Sequence, residues 1–158
     1  MSKRLQSLSE ISELLATLFD RDLHVKQVDG VGGPAGAIAC YRYANNGLAG
    51  ALWVDPVFAL ATTCSLSLME PDQAMKRVEE DRFLPRDWHN NFREIANICC
   101  RFFAAPEAPR VVLDHVWIAP DNPPQTLMND MHTLLEHRIL RVDFGEFGIG
   151  HLHAVATA

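Results

Sequence analysis

The sequence predicts an α/β domain of the α+β type: a mixed, largely antiparallel sheet of about six strands with long helices packed on it. Three observations predict it. Segments with apolar residues at helical spacing are interleaved with β-branched segments of strand length. Two pairs of strand-like segments are joined by tight, glycine-containing turns, a connection that makes neighbouring strands antiparallel. The 158 residues, 48% apolar and 22% charged, suit one domain over 1–158 with one sizeable core.

The first element is a helix. Leu5, Leu8, Ile11, Leu14, Leu15 and Leu18 recur at helical spacing, and Ser7 with Glu10 fits a capping box, in which hydroxyl and carboxylate satisfy orphan amides. The run ends at 20–22, and LHVKQVD (23–29) alternates as a strand should. GVGGPAG (30–36) is glycine-rich, but a phosphate-cradling loop opens a helix. Here AGAIACYRYA is rich in strand formers and Pro34 removes an amide, so a turn between strands is expected. YRYANNGLAGALWV (41–54) reads as a hairpin turning at Asn46-Gly47.

DPVFALATTCSLSL (55–68) reads as a helix capped by Asp55 with Pro56 at its first position, and with Val57, Leu60, Ala61, Cys64 and Leu68 on one buried face. EPDQAMKRVEEDRF (70–83) is polar, a short helix or an ordered loop; within it KRVEEDR (76–82) reads as a solvated face. A helix over 90–103 follows. RVVLDHVWIAP (110–120) is a β-branched strand, DNPPQ a loop, and TLMNDMHTLLEHR (126–138) a helix or a partly helical excursion. ILRVDFGE and GIGHLHAVA close the chain as two strands joined by a glycine turn.

Fourteen Lys and Arg stand against 20 Asp and Glu, a net charge of −6. That excludes a general nucleic-acid binder, which needs a basic surface. No apolar run approaches the roughly 20 residues of a membrane helix, and the start lacks a continuous apolar core of a signal peptide, so a cytoplasmic protein is expected. Cys40, Cys64, Cys99 and Cys100 form no C-x-x-C pair and sit inside apolar segments; buried reduced thiols are expected.

The stretch NNFREIANICCRFF (90–103) carries the functional question. With Asn90 at zero on a helical wheel, Glu94 falls at about 40°, Asn97 at about −20° and Arg101 at about 20°. Trp88, Phe92, Ile95, Ala96, Cys99, Phe102 and Phe103 lie opposite, between roughly 120° and 240°. A thick buried face thus holds a narrow polar stripe outward. The stripe is either an ordinary solvated face, with Asn90–Glu94 and Asn97–Arg101 as neighbours that can pair, or a set of groups held out for chemistry. Asn is a poor helix former, so Asn97 in mid-helix is a cost without evident structural gain.

NNFREIANICC resembles the signature of the CheC/CheX/FliY phosphatases, which act on the phosphorylated response regulator CheY: Asp or Ser, three residues, Glu, two residues, Asn, on an exposed helix. Asn90, Glu94 and Asn97 match it, and EIAN is similar to the CheX form. DPVFALATTCSLSLME and LRVDFGEFGIGHLHAVA resemble the family's earlier helix and final hairpin, so the likeness spans most of the chain and lies nearest the single-motif CheX type, with no second Glu-x-x-Asn. The resemblance implies a CheX-like fold, in which sheet edges can pair two copies into a dimer. It implies that Glu94 ion-pairs with the active-site lysine of a CheY-type receiver, and that the Asn97 amide orients a water for in-line attack on the aspartyl phosphate. Phosphoryl transfer needs positioning and charge neutralisation more than covalent help. The resemblance implies no cofactor bound by this chain; magnesium belongs to the partner response regulator. Asn90 stands where the family has Asp or Ser, and Arg101 where CheX-like sequences have Gly. That arginine either blocks approach, holds Asn97, or binds an acidic partner surface. A noncatalytic receiver-binding module is the alternative.

Other chemistry has thinner support. His151 and His153 are two apart on an expected strand and face the same way, and His115 joins them if its strand is adjacent; a metal or small-ligand site would use them, but a third ligand is not evident. Ser65 and Ser67 lack a strand-to-helix nucleophile elbow. Cys99 faces the expected core, and Cys100 lies nearer its flank.

Overall fold

The computed structural model describes residues 4–20, 23–30, 33–45, 47–81, 83–104 and 109–157. Asn46 of the expected hairpin turn, and 31–32 of the glycine-rich stretch, lie outside them. The described chain runs α1 (Leu8–Phe19), β1 (His24–Gln27), β2 (Ala37–Tyr43), β3 (Leu48–Val54), α2 (Pro56–Ser67), α3 (Pro71–Asp81), α4 (His89–Ile98), β4 (Val111–Ile118), α5 (Gln125–His132), β5 (Glu136–Asp143) and β6 (Ile149–Ala156). Six strands form one sheet in the order β1-β5-β6-β3-β2-β4, with every neighbouring pair antiparallel. This is the α+β architecture expected from the sequence.

Local chemistry sets the helix starts. Ser7 and Glu10 close the capping box on α1, and Asp55 accepts the Phe58 N–H at 2.9 Å to start α2, with Pro56 in its first turn. The chain before α1 is tied down too: the Glu136 carboxylate accepts the backbone N–H groups of Arg4 and Leu5, at 2.7 and 3.1 Å.

The two faces of the sheet are covered unequally. Ala39, Tyr41, Leu52, Val54, Leu152 and Ala154 point to one face, where α1, α2 and α4 build the main core. Ile38, Cys40, Ala51 and Val155 point to the other, where, among the described residues, only Met131 of α5 and Leu134 join the buried cluster. Alternation along each strand decides which face a side chain reaches.

Helix α2 departs from the one-faced expectation. Phe58 through Cys64 are all buried, because α2 packs against the sheet, α1 and α4 at once. Leu68, expected on its buried face, is 89% exposed. It caps the helix in a left-handed conformation (φ 53°), its N–H bonding to the Cys64 carbonyl, so helical phase no longer governs its side chain. Segment 126–138 divides: α5 stops at His132 and strand β5 begins at Glu136.

The long helix expected over 90–103 also divides. α4 is α-helical to Ile98, and Cys99–Phe103 tightens into a 3-10 stretch. All seven residues assigned to its apolar side are buried: Trp88, Phe92, Ile95, Ala96, Cys99, Phe102 and Phe103. Each large one contributes on the order of 1.5–3 kcal/mol, so this face sets the orientation of the helix. The 3-10 stretch lies close on the sheet because position 50 is glycine. A Cβ there would collide with the Phe103 ring and the Val155 carbonyl.

Candidate functional site

Helix α4 carries the polar stripe. Asn90, Glu94 and Asn97 are all exposed, as is Arg101 on the 3-10 stretch. The pairs that the spacing allows along the stripe, Asn90–Glu94 and Asn97–Arg101, are not formed among the described residues. Asn90 Oδ1 instead accepts from Arg93 Nη1 at 3.3 Å, three residues along. Among the described residues, the side chains of Glu94, Asn97 and Arg101 make no hydrogen bond or ion pair. Arg101 therefore does not hold Asn97, and Glu94 is not tied to Arg101.

The change of helix type moves Arg101. At about 120° per residue in place of 100°, the three steps from Ile98 carry it roughly 60° further round the axis than a uniform α-helix would. It turns toward α1, where it borders a depression with Gln6, Glu10 and Glu13. Asn97 and Arg101 also line a groove of about 520 Å³ between α1 and the end of α4, with Leu14, Thr17 and Leu18 opposite. Asn97 is the penultimate residue of α4, not a mid-helix position. Its low helix propensity costs less there than a mid-helix reading implies, since the last turn has no following α-helical turn to disrupt.

Two residues the sequence did not reveal as anchors hold the site in place. The buried Tyr41 of β2 donates through its hydroxyl to the Ala96 carbonyl at 2.6 Å, tying the sheet to α4 beside Asn97. Arg77 of α3 reaches Asp87 at 2.8 Å and stacks its guanidinium 5.1 Å from the Trp88 ring, clamping the start of α4. The stretch 76–82, read as a solvated face, thus contains a structural clasp. Neither residue lies in a motif; Tyr41 is one of several apolar strand positions, and Arg77 one charge in a charged run.

The other candidates resolve differently. His115 does not join His151 and His153: β2 and β3 stand between its strand and β6, and its ring lies 4.4 Å from that of Trp117. His151 Nδ1 pairs with Asp55 Oδ2 at 2.9 Å. His153 meets a histidine from β5 that the sequence reading did not single out, His137, with His137 Nδ1 and His153 Nε2 2.9 Å apart. Their register on adjacent antiparallel strands brings them together, since His137 pairs with Val155, two residues on. No group of three or more His, Cys, Asp or Glu is arranged to hold a metal among the described residues. Ser65 and Ser67 donate back to the Thr62 and Cys64 carbonyls, spending their hydroxyls within the helix. Burial pushes the thiols of Cys40 and Cys64 up to about 11 and that of Cys99 higher, and all four cysteines are free. Burial raises Cys100 as well, opposed by the nearby Arg101 and Arg110 charges. No helix among the described residues is long and apolar enough to cross a membrane.

No family model matches the chain, and no curated protein matches it in sequence. Solved structures do. The FliM middle domain from H. pylori superposes with a TM-score of 0.55 at 9% identity, over 95% of this chain and 84% of that one. The chain therefore shares the fold of that domain. The same FliM protein is also matched in structures of its complexes with SpeE and with FliG. A chemotaxis protein CheX from Vibrio vulnificus is matched with a TM-score of 0.36 at 13% identity, over 94% of each chain. A CheC-like superfamily protein from Shewanella sp. PV-4 is matched with a TM-score of 0.38 at 9% identity, over 96% of this chain and 94% of that one.

Proposed function

We propose that this chain docks on a phosphorylated CheY-type receiver domain and accelerates hydrolysis of its aspartyl phosphate. One observation carries the reading. The motif residues Glu94 and Asn97 stand exposed, with no hydrogen bond or ion pair from their side chains among the described residues, on a helix whose opposite side is locked into the core. Groups held this way meet a partner with little reorganisation of the protein.

The division of labour follows from the chemistry. Glu94 supplies a carboxylate for the receiver's active-site lysine. The Asn97 amide has both a donor and an acceptor, so it can orient a water in line with the phosphorus. The receiver provides the magnesium, the lysine and the phosphorylated carboxylate, so this chain needs neither nucleophile nor metal of its own. Asn90 extends the contact surface at the far end of the stripe. Arg101, exposed beside Asn97 at the rim of the groove and making no ion pair among the described residues, would meet acidic groups on the receiver.

The test is the lifetime of a phosphorylated receiver with wild type and Asn97→Ala. Acceleration by wild type and its loss in the variant, with receiver binding retained, are expected; equal lifetimes would sink the catalytic reading. A second reading has its own support. The FliM domain that shares this fold is known in complexes with other proteins, SpeE and FliG. A noncatalytic receiver-binding module would bind through Glu94 and Arg101 and leave the phosphate lifetime unchanged.

A further inference from the structure

On the thinly covered face of the sheet, away from α4, a cavity of about 260 Å³ lies between the end of α5 and strands β3, β5 and β6. Its walls are mostly apolar, with Trp53 and Met131 among them, and three imidazoles converge on it: His132, His137 and His153. The Trp53 indole lies parallel to the His132 ring, with centroids 5.9 Å apart, and tilted against His153 at 5.5 Å. A mostly apolar cavity with a few convergent polar groups is the usual form of a small-molecule site, and flat ring walls favour a flat ligand.

The histidine pair adds a chemical constraint. With His137 Nδ1 and His153 Nε2 sharing one hydrogen, the outer nitrogens, His137 Nε2 and His153 Nδ1, present one donor and one acceptor in either tautomer. One added proton turns both outer nitrogens into donors and gives the pair a positive charge. The lining residue with a negative charge, Asp55, has both oxygens engaged, one by the Phe58 N–H and the other by His151.

We propose that this cavity binds a small planar aromatic carboxylate and that binding takes up one proton at the His137–His153 pair. The groups facing the pair set the sign. Burial, then the neighbouring charges of His137 and His132, lower the His153 pKa, so His153 resists protonation. An entering carboxylate reverses that balance. Asp55 accepts from the Phe58 N–H and contacts His151 at the side of the cavity, and Arg141 stands across from His151 in the sheet. Affinity therefore rises as pH falls.

Calorimetry with sodium benzoate as the probe tests this. Binding about tenfold tighter near pH 6.5 than near pH 7.5 is expected, with uptake of close to one proton when buffers of different ionisation heat are compared. Benzamide, similar in shape but uncharged, is expected to show no proton uptake. His137→Ala removes an exposed side chain, so the fold is retained; it is expected to abolish proton uptake and the pH dependence, and His153→Phe to do the same while keeping a ring in the wall. No benzoate binding at millimolar concentration overturns the proposal. So does binding that wild type and His137→Ala share equally, without proton uptake.

Discussion

The hydroxyl of Tyr41 donates to the carbonyl oxygen of Ala96 at 2.6 Å, one residue before Asn97. This bond joins a central strand to the last turn of α4, where helix carbonyls run short of amide partners. Tyr41 is fully buried and its ring packs on Phe103 at 4.7 Å. Tyr41→Phe keeps the ring and removes the bond, leaving the Ala96 carbonyl without that donor. A loss of about 1–2 kcal/mol is expected, read as a lower denaturant midpoint at unchanged slope. Receiver dephosphorylation is expected to fall with it, because the anchor beside Asn97 is gone.

Thr63 offers the opposite case. Its Oγ1 is buried in α2 with no hydrogen-bond partner among the described residues, whereas the adjacent Thr62 hydroxyl donates to the Phe58 carbonyl at 2.7 Å. Thr63→Val replaces the unsatisfied hydroxyl by a methyl of similar size. It is expected to stabilise the protein by about 1 kcal/mol, while Thr62→Val is expected to stabilise less or to destabilise. Thermal melts of the two variants side by side check the contrast.

Arg101 lies at the rim of the groove that Asn97 lines, and it has no ion-pair partner among the described residues. Arg101→Ala is expected to weaken association with the phosphorylated receiver by about three- to tenfold, mainly through the on-rate, and to flatten its salt dependence. Stopped-flow binding at two ionic strengths measures both. A faster phosphatase in the variant would instead identify Arg101 as an obstacle to docking.

The thiols give a pH prediction. Burial raises the values of Cys40 and Cys64 to about 11, above the ordinary thiol value. A raised value keeps the thiol protonated in the folded state after it would ionise in the unfolded chain. The stabilisation is complete below the unfolded value and is lost as pH rises through the folded one. Stability is therefore expected to decline above about pH 9. Near pH 8, Cys40, Cys64 and Cys99 are expected to resist a thiol reagent and half-buried Cys100 to react slowly, with all four reacting after denaturation. Ellman titration with and without denaturant reads the difference.

Sequence legibility followed periodicity. The helix of α1 and its capping box, the Asp55-Pro56 start of α2 and the buried side of α4 were all readable, because each depends on neighbours within one or two turns. The motif positions were readable for the same reason: spacing alone puts Glu94 and Asn97 on one face. Leu68 was misplaced where the periodicity itself broke. A left-handed cap ends the phase at Leu68, and the 3-10 stretch that carries Arg101 was not foreseen either. The expected His115 contact failed because strand order is not encoded locally. The same uncertainty concealed His137, which reaches His153 only through the β5–β6 register.

By itself, the sequence determined most of the element types, the mostly antiparallel α+β character and the outward stripe of Asn90, Glu94 and Asn97, since these arise from local backbone preference and the period of apolar residues. The tertiary structure alone decided the rest. It left the side chains of Glu94, Asn97 and Arg101 without a hydrogen bond or ion pair among the described residues, set Arg101 beside α1, seated α4 on Tyr41, and gathered His132, His137 and His153 around one cavity on the far face. Those relationships depend on strand order and on packing between segments distant in the chain, which no local pattern carries.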